Sequence, residues 1–387
     1  MNEKNLQLKY TVLWGLYWFA GCIITGFPAI FLRYKGLSST MIGITTGGAC
    51  MLNIFLSPIL MSVMNKSRTL NEKKVLYLLT GFIGIAYLLM AFAPMPRICI
   101  MALYILLFSA SVSSIPFISD LGMNLIRSGE NLNYGSARGI GSFAYALTGI
   151  LMGRISDSVS PLYFAPVLAA VSFLLILCIR SIPETETEEK EERRGTGFLQ
   201  SARKYPSFLL ILTGFAFIFA GFAMLGTYMI DIVKSHGGSD TMYGIIIFCM
   251  AASEVPVMAL CAKLLKKTGS TVLLMAAAFF FVVRNGVIAF SLNNAMVISG
   301  IVFQSFSYAL FTGVIAYYVA YYLDHEDQIA GQTMIAVMTT GIGQMAGNLI
   351  GGILMDSFGL KAMCLCAFLL TLTGALIVIL PNLRKRH

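Results

Sequence analysis

The chain has 387 residues, 57% of them hydrophobic and only 12% charged, with a mean hydropathy of +0.80. Soluble domains carry about 25% charged residues, so half that share excludes a water-facing globular surface. The net charge of +9 sits in short clusters between apolar runs rather than in a stripe, which argues against nucleic acid and fits an integral protein beside anionic lipid.

A helix crosses the hydrocarbon in about 20 residues. The N-terminal MNEKNLQLKY is short and charged, shows no small-residue cleavage site and enters a first span near Tyr10, which is expected to be retained. Trp14 and Trp18, at i,i+4 in that span, read as interface anchors or packing. Further spans open near Thr40, Val75 and Ile98, and the fourth ends in SSIPFISD, with Asp120 near its cytoplasmic end. The fifth opens near Ala137 within NYGSARGIGS (133–142), where Arg138 enters apolar sequence, and the sixth opens near Leu162.

Arg138 has two readings, snorkelling to the interface or facing an internal site. Tyr145, seven residues on, lies about 20° away on the same helix face. A guanidinium and an aromatic ring on one face suit a polar ligand with an apolar side, such as a sugar or nucleoside. Gly139, Gly141, Gly149 and Gly153 let neighbouring helices approach that span.

The polar stretch PETETEEKEERRGTGFLQSARKYPS follows, with Glu186/Lys190 and Glu189/Arg193 at i,i+4 spacing. It is expected to be a solvated, partly helical linker at 183–206 without chemistry of its own. It divides an N-terminal six-helix bundle (1–182) from a C-terminal one (207–387), whose spans open near Ser207, Thr241, Thr271, Ala295, Gly331 and Leu360. The expected fold is all-α and integral to the membrane, with twelve helices in two pseudo-symmetric bundles.

A charge at a span's centre costs roughly 2.5–3.5 kcal/mol on insertion scales, so it normally has a partner and a task. Glu254, in FCMAASEVPVMALCA of span eight, and Arg284, in AAAFFFVVRNGVIAF of span nine, stand at similar depth on consecutive spans and are expected to pair. Pro256 lacks an N–H and leaves the Ala252 carbonyl without its usual partner, which favours a kink near the carboxylate. Gln304 and Asn348 are polar residues of spans ten and eleven that serve as helix glue or ligand contacts. Asp157 and Asp356 read as helix-end or inter-bundle contacts, and Tyr317, Tyr318, Tyr321 and Tyr322 as an aromatic belt at the cytoplasmic end of span ten.

The halves repeat. KGLSSTMIG (35–43) and HGGSDTMYG (236–244) share five of nine residues at an offset of 201, each with a turn glycine before a polar helix cap. TGILM (148–152) echoes GGILM (351–355). Parallel repeats of this kind point to alternating access about a midplane site. Of the 27 Lys and Arg, six (Arg33, Lys35, Arg97, Arg154, Lys234, Lys361) fall in external segments and two (Arg138, Arg284) within spans, which places both termini in the cytoplasm.

On these residues the chain resembles the major facilitator superfamily, in its oligosaccharide/nucleoside–proton symporter branch (lactose permease-like). YGSARGIGS resembles that branch's Y-G-x-x-R-x-x-G-S signature, PFISDLG its P-x-x-D pattern, and SEVPVM with FVVRNG its paired Glu and Arg. The resemblance implies ligand contacts for Asp120, Arg138 and Glu254, a stacking position for Tyr145 and a coupling role for Arg284. Gln304 and Ser307 stand where lactose permease has a histidine and the proton-carrying glutamate, so lactose itself is not supported.

The expected function is secondary active transport of a small polar organic solute, a saccharide or nucleoside, driven by protons through Glu254, Arg284 and Asp120. Solute contacts are expected from Asp120, Arg138, Tyr145, Glu254 and Gln304. The alternatives are efflux of amphipathic compounds, uptake of aromatic acids, or an uncoupled facilitator or sensor. No metal cluster, nucleophile–base pair or phosphate loop suggests an enzyme, and no cofactor is expected. The chain is expected to be a monomer in the cell membrane, a multi-pass protein with the bilayer, solute and proton as its partners.

Overall fold

The computed structural model of the chain describes residues 3–67, 69–183 and 198–384. Most of the expected linker, including both of its i,i+4 charge pairs, lies outside these residues. Among the described residues every regular element is helical.

Span one runs from Glu3–Gly21 through a π-helical turn, Cys22–Gly26, and bends by 57° at Phe27 into Pro28–Tyr34. Proline stands at the first position of the second piece, where its missing N–H costs no helical bond. Spans two to six follow as Ser39–Lys66, Glu72–Phe92, Arg97–Arg127, Tyr134–Ser158 and Phe164–Ser181. Span seven is Pro206–Thr227, continued by Met229–Ser235; spans eight and nine are Asp240–Thr268 and Ser270–Ala289. Span ten is assembled from Asn294–Val302, the π-helical Ser305–Ala309 and Leu310–Tyr322. Gln328–Ala336 and the π-helical Val337–Gln344 lead into Met345–Arg384, which breaks at Gly359 (φ +81°) and so supplies spans eleven and twelve.

Among the described residues nine stretches, ten with the bent first span, are long and apolar enough to cross a membrane. One of the nine, His325–Asn382, is 58 residues long and contains the Gly359 break. Tyr134–Ser158 falls outside that set; it carries Arg138, Arg154 and Asp157. With the break and this helix included, the twelve expected spans are present. Pro256 does not interrupt Asp240–Thr268, in which the helix is continuous.

The described residues pack as two compact units, one drawn from 1–37, 52–191 and 239–248, the other from 38–51, 192–238 and 249–387. In the first, span one lies along span five, and span three lies on spans four and six. Three of its buried tyrosines donate to main-chain carbonyls, Tyr10 to Ile118 (3.1 Å), Tyr17 to Ser111 (2.9 Å) and Tyr104 to Ile24 (2.8 Å), while the Tyr87 hydroxyl is buried without a partner among the described residues. In the second, span seven lies along spans eleven and twelve, and span nine lies on span twelve. Phe215, Phe219, Phe281 and Phe311 form an aromatic core there, with the Phe215 and Phe311 rings 4.3 Å apart.

The repeat is visible in atomic detail. Gly36 and Gly237 both hold positive φ (81° and 72°) at the turn before the helix. Ser38 and Ser239 both accept from the backbone N–H three residues on, Met41 and Met242, at 3.3 Å. In the first unit the Asp157 carboxylate accepts the N–H groups of Asp240 (2.9 Å) and Thr241 (2.7 Å). In the second, Asp356 accepts those of Ser39 (3.1 Å) and Thr40 (2.7 Å). These carboxylates pair spans five and eleven at an offset of 199. The TGILM/GGILM echo, offset by 203, is therefore displaced by about one helical turn from the true correspondence.

Candidate functional site

Among the described residues, each unit gathers a polar cluster inside its spans around one of the two arginines, Arg138 and Arg284. In the first, Asn133 caps Tyr134–Ser158 by accepting the Ser136 N–H at 2.9 Å, which sets the start of the helix and the direction of Arg138. The Arg138 guanidinium lies over the Trp18 ring (4.4 Å to its centroid) and beside that of Trp14 (5.2 Å). Nη1 donates to the Ser142 hydroxyl, one turn on, at 3.1 Å. The flat cation is thus held against span one by aromatic rings.

Tyr145 meets the same indole edge-on, its ring 5.7 Å from that of Trp18, and its hydroxyl lies 3.5 Å from Thr25. Trp14 is fully buried and packs edge-on against Tyr17 and Tyr134, with centroids 6.0 and 5.9 Å apart. Gly141 makes this packing possible: a methyl group there would collide with the Trp18 indole. Asp120 is half-buried on span four, next to Ser119, whose hydroxyl lies 3.0 Å from that of Tyr134.

In the second unit Glu254, Gln304 and Arg284 are contiguous. The Gln304 amide stands between the two charges: Nε2 donates to Glu254 Oε1 at 2.8 Å, and Oε1 accepts from Arg284 Nε at 3.0 Å. Arg284 is only 1% exposed and Gln304 2%. Burial at that depth demands further partners. Arg284 Nη1 donates to Asn285 Oδ1 (2.6 Å), Asn285 Nδ2 to Thr371 Oγ1 (2.8 Å), and the Thr371 hydroxyl to the Ala367 carbonyl (2.8 Å). The guanidinium also lies 4.6 Å from the Phe222 ring, which stacks on Tyr308 at an interplanar angle of 5°. Gln304 directly precedes the π-turn Ser305–Ala309, a local widening of the helix of the kind frequent at functional sites.

Of the residues singled out in the sequence, the structure brings Glu254, Gln304 and Arg284 together in one unit and sets Arg138 and Tyr145 against Trp18 in the other, with Asp120 on span four of that unit. The sequence reading missed Trp14 and Trp18 as the platform of Arg138, and Asn285, Thr371 and Phe222 as the surroundings of Arg284. Among the described residues no group of three His, Cys, Asp or Glu side chains converges as a metal site.

A multi-pass helical chain with a duplicated pattern of spans and charges enclosed within them has the build of a membrane transporter. The chain is a member of the MFS_1-like family, whose description, "MFS_1 like family", matches residues 8–366. It is 25% identical over 389 residues to the uncharacterized transporter YwbF of Bacillus subtilis (strain 168), covering 97% of this chain and 94% of that one. It is 23% identical over 290 residues to a maltose permease of Geobacillus stearothermophilus, covering 73% and 72%.

Among solved structures, nucleoside transporter NupG matches with a TM-score of 0.82 at 14% identity over 100% of both chains. A mutant of NupG matches at 0.85 and 13% identity, over 97% and 98%. At those identities the structures show the fold. The expected superfamily and twelve-helix architecture are confirmed, and the family is one of membrane transporters, not enzymes. A small-molecule substrate and a multi-pass location follow from it.

Proposed function

We propose that the chain moves a saccharide or nucleoside across the cell membrane by alternating access, coupled to protons, as a monomer with both termini in the cytoplasm and six-helix halves at 1–182 and 207–387. The observation that supports this best is the Arg138 guanidinium over the Trp18 ring, 4.4 Å from its centroid, with the Tyr145 ring against the same indole. Such a surface offers hydrogen-bond donors next to aromatic faces, as a ring with hydroxyls on its edge and an apolar face requires. Two similar proteins, a maltose permease and a nucleoside transporter, fall by name in the same chemical range.

In this reading Asp120, Arg138, Tyr145, Glu254 and Gln304 contact the solute in the course of transport. Glu254 takes up the proton. While ionised, it holds the Gln304 amide by a charge-assisted bond. Protonation weakens that bond and frees the amide for the solute. Departure of the solute and loss of the proton, in a field set by Arg284, restore the bridge.

The test is uptake into proteoliposomes of uridine, maltose and benzoate, with and without an imposed pH gradient, for the native chain and Glu254→Gln. Accumulation of uridine or maltose that needs the gradient, and that fails in Glu254→Gln, supports the proposal. Benzoate as the preferred solute would favour an aromatic acid instead. Gradient-driven uptake at native rate in the variant would remove Glu254 from coupling.

A further inference from the structure

A cavity of about 510 Å³ lies at one end of the second unit, where Asp240–Thr268 ends, Ser270–Ala289 begins and Leu310–Tyr322 completes its last turns. Lys266, Ser270, Tyr317, Tyr321 and Tyr322 line it, and no acidic side chain does. The Tyr317 and Tyr321 rings stack, with centroids 6.4 Å apart and planes 18° from parallel. Among the described residues neither the Lys266 amine nor the three tyrosine hydroxyls make a hydrogen bond, although all four face one space. Lys263 and Lys267 stand nearby on the same helix and are exposed.

Three spans end at this level, so the cavity sits at the boundary between hydrocarbon and water. Tyrosine rings are favoured there, and the phosphates of lipid headgroups lie at the same depth. Leu265 adds an apolar wall. One cation, several unengaged hydroxyl donors and aromatic walls match a phosphodiester that carries acyl chains, whereas a soluble anion would gain nothing from the rings.

We infer that this cavity binds the headgroup of an anionic glycerophospholipid, with Lys266 pairing the phosphate and the tyrosine hydroxyls donating to it. Lys267, next in the chain, does not line the cavity, so it separates a built site from diffuse attraction to a negative surface.

Full-length protein is delipidated in mild detergent, and retention of phosphatidylglycerol is measured by native mass spectrometry against phosphatidylcholine and inorganic phosphate. The native chain and Lys267→Gln are expected to retain phosphatidylglycerol over phosphatidylcholine. Lys266→Gln should lose roughly fivefold of that retention, as expected for one lysine at an anionic headgroup. Tyr321→Phe, which keeps the ring, should lose a smaller part. Equal losses in Lys266→Gln and Lys267→Gln, no preference over phosphatidylcholine, or displacement of the lipid by millimolar inorganic phosphate would each overturn the inference.

Discussion

The Asp157 carboxylate caps a helix that begins 83 residues further along the chain, accepting the Thr241 N–H at 2.7 Å. Asp356 does the same for Thr40 at 2.7 Å, so both helices that follow the repeated glycine turn start on a carboxylate from a distant span. Loss of a cap costs about 1 kcal/mol. Asp157→Ala and Asp356→Ala should each lower the unfolding temperature in detergent, by about 2 °C on the scale of domains of roughly 200 residues. Differential scanning fluorimetry checks this, and the two losses should be similar, since the two geometries match.

Gln304 is expected to matter beyond its size. Gln304→Leu leaves the Arg284 Nε and the Glu254 carboxylate each short of one partner at a buried site. An unsatisfied buried group costs about 1–3 kcal/mol. Transport should fall at least tenfold, while Gln304→Asn, which keeps the amide on a shorter arm, should retain more. Initial rates in proteoliposomes decide it.

The Trp18 platform can be tested from both sides. A cation–π contact is worth about 0.5–2 kcal/mol, so Trp18→Leu should raise the half-saturating solute concentration by roughly 2- to 30-fold. Gly141→Ala should act in the same direction without touching either partner, because the added methyl drives the indole off its seat. A Gly141→Ala protein with native affinity would show that the Arg138–Trp18 contact is not used for the solute.

A pH dependence follows from the loop cluster of Lys204, Tyr205, Asp324 and Asp327. The Lys204 amine lies 2.7 Å from Asp324, and this bond holds the Asp324 carboxyl below its usual range. The contribution is therefore complete above the unfolded value of about 3.9 and is lost as pH falls through the folded one. The same bond raises the Lys204 amine, whose share is complete below about pH 10 and is lost only as pH rises past its folded value. The unfolding-temperature gap between the native chain and Asp324→Asn should be flat from about pH 5 to 9 and close below about pH 4.

Lys204→Gln should destabilise more than Asp324→Asn. Asp327 is only 1% exposed and its carboxylate is bound by Lys204 (2.6 Å) and by the Tyr205 hydroxyl (2.8 Å), so removing the amine leaves a buried charge short of its cation. Thermal melts of the two variants, side by side at neutral pH, give the comparison.

What could be read from the sequence was whatever is costly in oil. Arg138, Glu254 and Arg284 stand out because a charge inside an apolar run needs a reason, and each lies in a cluster within the spans. Trp14 and Trp18 gave no such signal, since aromatic residues are ordinary in membrane helices and their partner comes from a helix more than a hundred residues away. Gln304 was visible as polar but not as a bridge, because its orientation depends on spans eight and nine together. Asn285 and Thr371 were hidden for the same reason. The loop repeat was correctly matched by its glycines, while TGILM slipped a turn because small and branched apolar residues recur along any such helix.

The π-turn at Ser305–Ala309 has a consequence for how this chain tolerates change in length. A π-turn holds one residue more than an α-turn, so the extra residue there is accommodated without rotating Leu310–Tyr322 relative to its neighbours. In an α-helical stretch of a span, removing a single residue would swing everything beyond it by about 100°. Removed from Ser305–Ala309, the same residue would let the helix tighten to α geometry and leave the downstream faces aligned. Span ten thus contains a place where relatives can differ by one residue and still present the same faces, beside the amide that joins Glu254 to Arg284.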